Sequence, residues 1–149
     1  MKFTDISFME EAIKEAELAL KENEVPVGAV VVYKNKIIGR GHNQMEKLKD
    51  PTAHAEMIAI SSACNYLKDW RLKNTTIYIT CEPCLMCMGA ILLARIKKIV
   101  YGTKEENFGF FSNYSRFYKS IQEKVEIING IKEEETRDLL KKFFEEKRR

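Results

Sequence analysis

Apolar and polar positions alternate along this chain in two distinct periods. Phe8, Met9, Ala12, Ile13, Ala16, Ala19 and Leu20 recur at helical spacing, and Ser7 with Glu10 forms a candidate capping box at their start. The stretch VPVGAVVVYKNKIIGRGHN reads as two strands, near 27–33 and 36–41, joined by a tight turn around Asn35. Asp50 and Pro51 suit an N-cap and first turn, predicting a helix to about Leu67. TTIYIT (75–80) is a β-branched and aromatic strand. Pro83 then opens a helix to about Ala94, followed by strands at 97–102 and 124–129. A final helix runs from Glu133 to Lys147, with Leu139, Leu140, Phe143 and Phe144 predicted inward. Alternating strands and helices predict an α/β domain with helices packed on a central mixed sheet.

The size fits one domain: 149 residues, 45% hydrophobic and 32% charged, enough to bury a core. We therefore expect residues 1–149 to form a single domain. No apolar run approaches the roughly 20 residues that span a bilayer. The N-terminus turns acidic at once and shows no signal-peptide core, so a cytoplasmic location is expected. The net charge of +3 permits a nucleic-acid partner without arguing for one. The basic end, Lys147-Arg148-Arg149, follows a helix of mixed sign.

The chemistry concentrates in two places. Of four cysteines, Cys81, Cys84 and Cys87 fall within seven residues, and Cys64 stands apart. One of the two histidines, His54, lies two residues before Glu56 in DPTAHAEM. If two helices following neighbouring strands bring their N-termini together, His54, Cys84 and Cys87 offer one nitrogen and two thiolates to a tetrahedral Zn²⁺. Three protein ligands leave one position for a water of lowered pKa, and Glu56 beside it would move protons. The pattern H-x-E…P-C-x-x-C is the signature of zinc nucleobase deaminases.

Weaker readings compete with this one. The CxxC could be a redox pair, which leaves HAE without a role. Cys81 could complete a closed four-ligand zinc site in a binding module without catalysis. His42 and Cys64 read as structural. The run Phe108, Phe110, Phe111, Tyr114, Phe117 and Tyr118 could stack on bases, form a lid over a small pocket, or simply pack.

EVPVGAVVV, GHN, DPTAHAEMIAI, WRL, YIT-EPC-MC-GAI, RIKKIVYG and FFEEKRR together resemble the bacterial tRNA adenosine deaminases, over nearly the whole chain. The resemblance implies a three-layer α/β/α cytidine-deaminase-like fold on a five-stranded mixed sheet, usually as a homodimer. It implies one zinc per chain on His54, Cys84 and Cys87, with Glu56 as proton shuttle. It implies that Asn43 hydrogen-bonds the bound base and that the Ala55 backbone helps hold it. The reaction implied is hydrolysis of adenosine to inosine at the wobble position, with the tRNA anticodon loop as partner. Two stretches depart from the pattern. Segment 103–113 is aromatic where relatives often carry an Asp-rich loop with Gly and Ser, and Cys81 is more like guanine deaminases. A free nucleobase such as guanine or cytosine is therefore the alternative substrate.

Overall fold

A computed structural model describes residues 4–147; the basic pair Arg148 and Arg149 lies outside them. Five strands form one sheet in the order β2-β1-β3-β4-β5. They are β1 (Gly28–Tyr33), β2 (Lys36–His42), β3 (Thr75–Cys81), β4 (Lys98–Thr103) and β5 (Glu126–Ile128). β1 runs antiparallel to both β2 and β3, whereas β3–β4 and β4–β5 are parallel. The sheet is mixed and five-stranded, as expected. Lys34 and Asn35 both take positive φ (49° and 65°), the geometry of a two-residue type I′ hairpin turn. Beyond the turn, the register shifts between Val31 and Val32, a bulge that gives β2 an extra residue.

Side chains alternate along the central strands, so each face has its own core. On one face, Val30, Val32, Tyr78 and Val100 meet Phe8, Met9, Ala12 and Ile13 of helix α1 (Asp5–Lys21). Helix α7 (Glu133–Lys147) lies on that face, with Leu139 packed on the same cluster. On the other face, Ala29, Val31, Ile77, Ile79 and Ile99 meet α3 (Ala55–Leu67) and α4 (Leu85–Leu93). The layers are α/β/α.

Close approach of α3 to β2 is built into the sequence. Ala55, Ala59 and Ala63 line one stripe of α3 and are fully buried. A Cβ on Gly39 would lie 2.4 Å from the Ala59 carbonyl oxygen, and one on Gly41 2.4 Å from that of Ala55. Small residues on both sides bring the start of α3 against the end of β2, which sets where His54 and Glu56 sit.

Several expectations need correction. The capping box at α1 pairs Thr4 with Ser7, not Ser7 with Glu10. The Thr4 hydroxyl accepts from Ser7 N at 3.2 Å and Ser7 Oγ accepts from Thr4 N at 3.0 Å. Helix α3 starts at Ala55, with His54 as N-cap, four residues later than Asp50 predicted. Asp50 instead accepts from Thr52 N and Thr52 Oγ1, closing a local Asx turn that spends its capping oxygen before the helix begins. Phe144 points outward (48% exposed), because α7 buries only a narrow stripe through Thr136 and Phe143. Three short helices were not anticipated: α2 (Met45–Leu48), α5 (Phe110–Asn113) and α6 (Tyr118–Gln122). Among the described residues no helix is long and apolar enough to cross a membrane.

Candidate active site

Antiparallel β1 sits between β2 and β3, so the chain leaves β2 and β3 at the same end of the sheet. The helices that follow, α3 and α4, start there. His54 is the N-cap residue of α3 and Cys84 the N-cap residue of α4, both with extended backbone and neither capping its helix with its side chain. Both side chains are thereby free to meet. Cys87 lies one turn into α4, fully buried.

His54 Nδ1 lies 3.6 Å from Cys84 Sγ and 3.5 Å from Cys87 Sγ. All three donor atoms fall within 4.8 Å of one another. A tetrahedral zinc, bonded at about 2.0–2.1 Å to imidazole nitrogen and about 2.3 Å to thiolate sulfur, holds N and S about 3.5–3.6 Å apart. The observed spacing therefore fits the ion, and the donor set is the one zinc prefers. The hydrogen bond from the Cys87 thiol pulls the Cys84 pKa down to about 4, and the same pairing pushes Cys87 upward. His54 is raised by its hydrogen bond to Cys84. A bound cation would favour the thiolate form of both cysteines, so binding would release protons.

Cys81 does not join this group. It is buried at the end of β3, where burial raises its thiol pKa well above the ordinary value. The closed four-cornered site thus finds no support, and a fourth position is left for a non-protein ligand. Cys64 is a packing residue whose thiol donates to the Trp70 carbonyl at 3.6 Å. His42 faces away into a charged cluster, 3.1 Å from Glu22 and 3.5 Å from Glu15, in keeping with a structural role.

Glu56 lies in the first turn of α3, two residues after His54, and is 4% exposed. Burial raises its carboxyl pKa above the usual carboxylate range. A proton-holding group is thereby placed against the metal ligands. Asn43 is buried at the end of β2, its Oδ1 accepting from Met45 N at 3.2 Å. The next residue is tied to the site, since Gln44 N donates to the Ala53 carbonyl at 3.0 Å. Ala55 is fully buried beside it.

A match to the cytidine and deoxycytidylate deaminase zinc-binding region covers residues 3–103. The chain belongs to this deaminase family. It is a zinc-binding enzyme family, and His54, Cys84 and Cys87 all lie within the matched span. Among relatives, the chain is 41% identical to the tRNA-specific adenosine deaminase of Bacillus subtilis, over 97% of this chain and 91% of that one. Among solved structures, it is similar to a tRNA:A34 deaminase described for A-to-I editing at the wobble position of transfer RNA. That likeness has a TM-score of 0.83 and 38% identity, covering 89% of this chain and 98% of the other. It is also similar to the guanine deaminase of Bacillus subtilis, with a TM-score of 0.67 and 35% identity, covering 78% of this chain and 76% of that one.

A residue the sequence reading passed over completes the site's frame. Glu82, just before Pro83-Cys84, is buried, and its carboxylate accepts three hydrogen bonds. They come from Glu105 N (3.0 Å), Ser112 N (2.8 Å) and Ser112 Oγ (2.8 Å). It fastens the 105–112 loop to the start of α4. An acidic residue between an apolar strand and a Pro-Cys pair was the available signal; its partners, mostly backbone N–H groups, leave no mark in a sequence.

The aromatic run divides. Phe110 is buried, and Phe111 and Tyr114 pack on the core, with Phe111 stacked on Tyr101 at 5.7 Å. Phe108 and Phe117 point to solvent.

Proposed function

We propose that this chain converts adenosine to inosine at the wobble position of tRNA by hydrolysis. The observation that carries the reading is the fit of His54, Cys84 and Cys87 to a zinc ion with buried Glu56 beside them. The breadth of likeness to tRNA-specific adenosine deaminases supports the substrate: those matches run over nearly all of both chains, whereas the guanine deaminase match leaves about a quarter of that protein uncovered.

His54, Cys84 and Cys87 would hold one Zn²⁺. When bound, the ion supplies a water of lowered pKa and a positive charge where the reaction develops negative charge. The chain's own residues do the rest. Glu56 takes the proton of the attacking water, delivers it to N1 of the adenine ring as C6 becomes tetrahedral, and carries a second proton to the departing amine. Burial raises its pKa above the usual carboxylate range, which favours a carboxyl that both takes and returns a proton. Asn43 hydrogen-bonds the base, and the Ala55 backbone lines the pocket next to His54. The target base must leave the anticodon stack to reach the buried site, which costs less in a loop than in a duplex.

Residues 1–149 act as one zinc-dependent deaminase domain in the cytoplasm, where the tRNA is. The chain works as a homodimer. The outer face of α4 presents Leu85 and Leu93, 53% and 70% exposed, and a second copy covers that apolar stripe. Sedimentation as a monomer at micromolar concentration would refute the dimer.

Guanine deaminase activity is the second reading, favoured by the likeness to the Bacillus subtilis enzyme. One experiment separates the two. The zinc-loaded protein is given a tRNA transcript with adenosine at the wobble position and, in parallel, free guanine, adenine, adenosine, cytosine and cytidine. Inosine in the tRNA with no ammonia from free bases supports the first reading. Ammonia from guanine or cytosine with the tRNA untouched replaces it with the second.

A further inference from the structure

The loop between β4 and α5 touches the metal-ligand helix directly. Gly109 pairs with Cys84 in an isolated antiparallel bridge, and Phe110 N donates to the Pro83 carbonyl at 2.8 Å. The residue just before this contact is Phe108, whose side chain is 76% exposed. A lone exposed aromatic needs no explanation by itself. Here, however, its neighbours Phe110 and Phe111 turn into the core, and Phe108 is left out beside the site.

The backbone beneath that ring is fixed. The Glu105 carboxylate accepts from Asn107 N and from Phe108 N, and the Glu105 carbonyl accepts from Gly109 N at 2.8 Å. Asn113 Nδ2 donates to the carbonyls of Glu106 and Gly109. Glu82 holds both ends of the loop, at Glu105 and Ser112. Gly109 packs closely on Glu82, since an added Cβ there would meet the Glu82 carboxylate at 2.4 Å. A backbone held in this way fixes where the ring is presented before a ligand arrives, so less conformational entropy is lost on binding. Lys104 and Glu106 are both exposed on the same loop and of opposite sign, so the loop carries no clear phosphate site. The apolar feature it offers an RNA is the Phe108 ring.

We propose that Phe108 is a stacking platform for a nucleobase flanking the target adenosine, a reading that rests on the tRNA substrate proposed above. Stacking suits this position because every base has a π face, so the ring grips a single strand without reading its sequence. Phe108 is thus a residue that distinguishes an RNA substrate from a free base, which has no flanking nucleotide.

The test uses zinc-loaded Glu56→Gln protein, which holds substrate without turning it over. It is titrated with an anticodon stem-loop carrying fluorescent 2-aminopurine on either side of the target. Adding Phe108→Ala is expected to weaken binding about 10-fold and abolish the quenching at one flank. Phe108→Leu, which keeps apolar bulk without a π face, should not restore affinity, and Phe108→Trp should. Unchanged affinity in Phe108→Ala, or full rescue by Phe108→Leu, overturns the proposal alone. If the Glu56→Gln protein itself does not bind the stem-loop, the tRNA reading falls first and the stacking role with it.

Discussion

Ser112 N donates to the Glu82 carboxylate at 2.8 Å across a separation of 30 residues, and the Ser112 hydroxyl donates to the same carboxylate. The contact joins the strand that leads to the metal ligands with the loop that borders them. A carboxylate only accepts, and all its partners here donate. Glu82→Gln turns an amide NH₂ toward a donor and leaves buried N–H groups short of an acceptor. We expect a loss of about 1–3 kcal/mol, read as a lowered midpoint in thermal unfolding. Amide exchange over residues 105–112 should quicken. Zinc content should remain at one per chain, since Glu82 is not a ligand.

Glu56→Gln separates chemistry from metal binding. The amide keeps the size of the side chain but cannot move protons. Turnover should fall by about 10²–10⁴-fold or more while metal analysis still finds one zinc per chain. Equal loss of zinc and activity would make Glu56 a support for the ligands instead. Undiminished turnover would leave the HAE motif without its proposed role.

Gly41→Ala tests whether the contact of β2 with α3 sets the site. The added methyl would meet the Ala55 carbonyl at 2.4 Å and Ala59 N at 2.7 Å, both backbone atoms with little room to retreat. Overpacking of this kind typically costs about 1–3 kcal/mol. Because Ala55 lies between His54 and Glu56, the shift should also weaken zinc affinity in competition with a chelator. Unaltered affinity would show that α3 slides without moving its first turn.

The alkaline limit of stability should depend on Tyr78. Its hydroxyl donates to Asp5 Oδ1 at 2.7 Å, and Asp5 also pairs with Lys98 at 3.3 Å. Burial, and then the Asp5 carboxylate, raise the Tyr78 pKa above its ordinary value of 10. A folded-state pKa above the unfolded one means that this stabilisation is complete below about pH 10 and drains away as pH rises beyond it. Tyr78→Phe should cost about 1 kcal/mol at neutral pH and flatten the fall in stability above pH 10. Denaturant midpoints measured from pH 7 to 11 in both proteins check this.

What the sequence made legible follows from the range of the forces involved. Strand positions came through because β-branched alternation is a local signal, and the hairpin turn because Lys34-Asn35 tolerates positive φ. The ligand trio was legible because its spacing is set by helix starts, themselves marked by Pro83 and the HAE stretch. The start of α3 was not, because Asp50 spends its oxygen on Thr52, a choice between two local bonds that composition does not reveal. Phe144 was misplaced because α7 buries only a narrow stripe through Thr136 and Phe143, and the apolar Phe143-Phe144 pair does not show which of the two lies on it. Glu82 escaped because its partners are mainly backbone groups more than twenty residues away.

The parallel pairing of β4 with β5 has an evolutionary consequence. Parallel neighbours need a long crossover, and here it is residues 104–125, the stretch that carries Phe108 and the aromatic helices. The family match ends at residue 103, just before it. Lengthening such a crossover costs little, about 0.6 kcal/mol for each doubling of a flexible loop. Such a crossover can therefore change length and sequence while the metal ligands stay on α3 and α4. If Phe108 stacks as proposed, the metal chemistry and the grip on the substrate's flank are carried by separate parts of the chain.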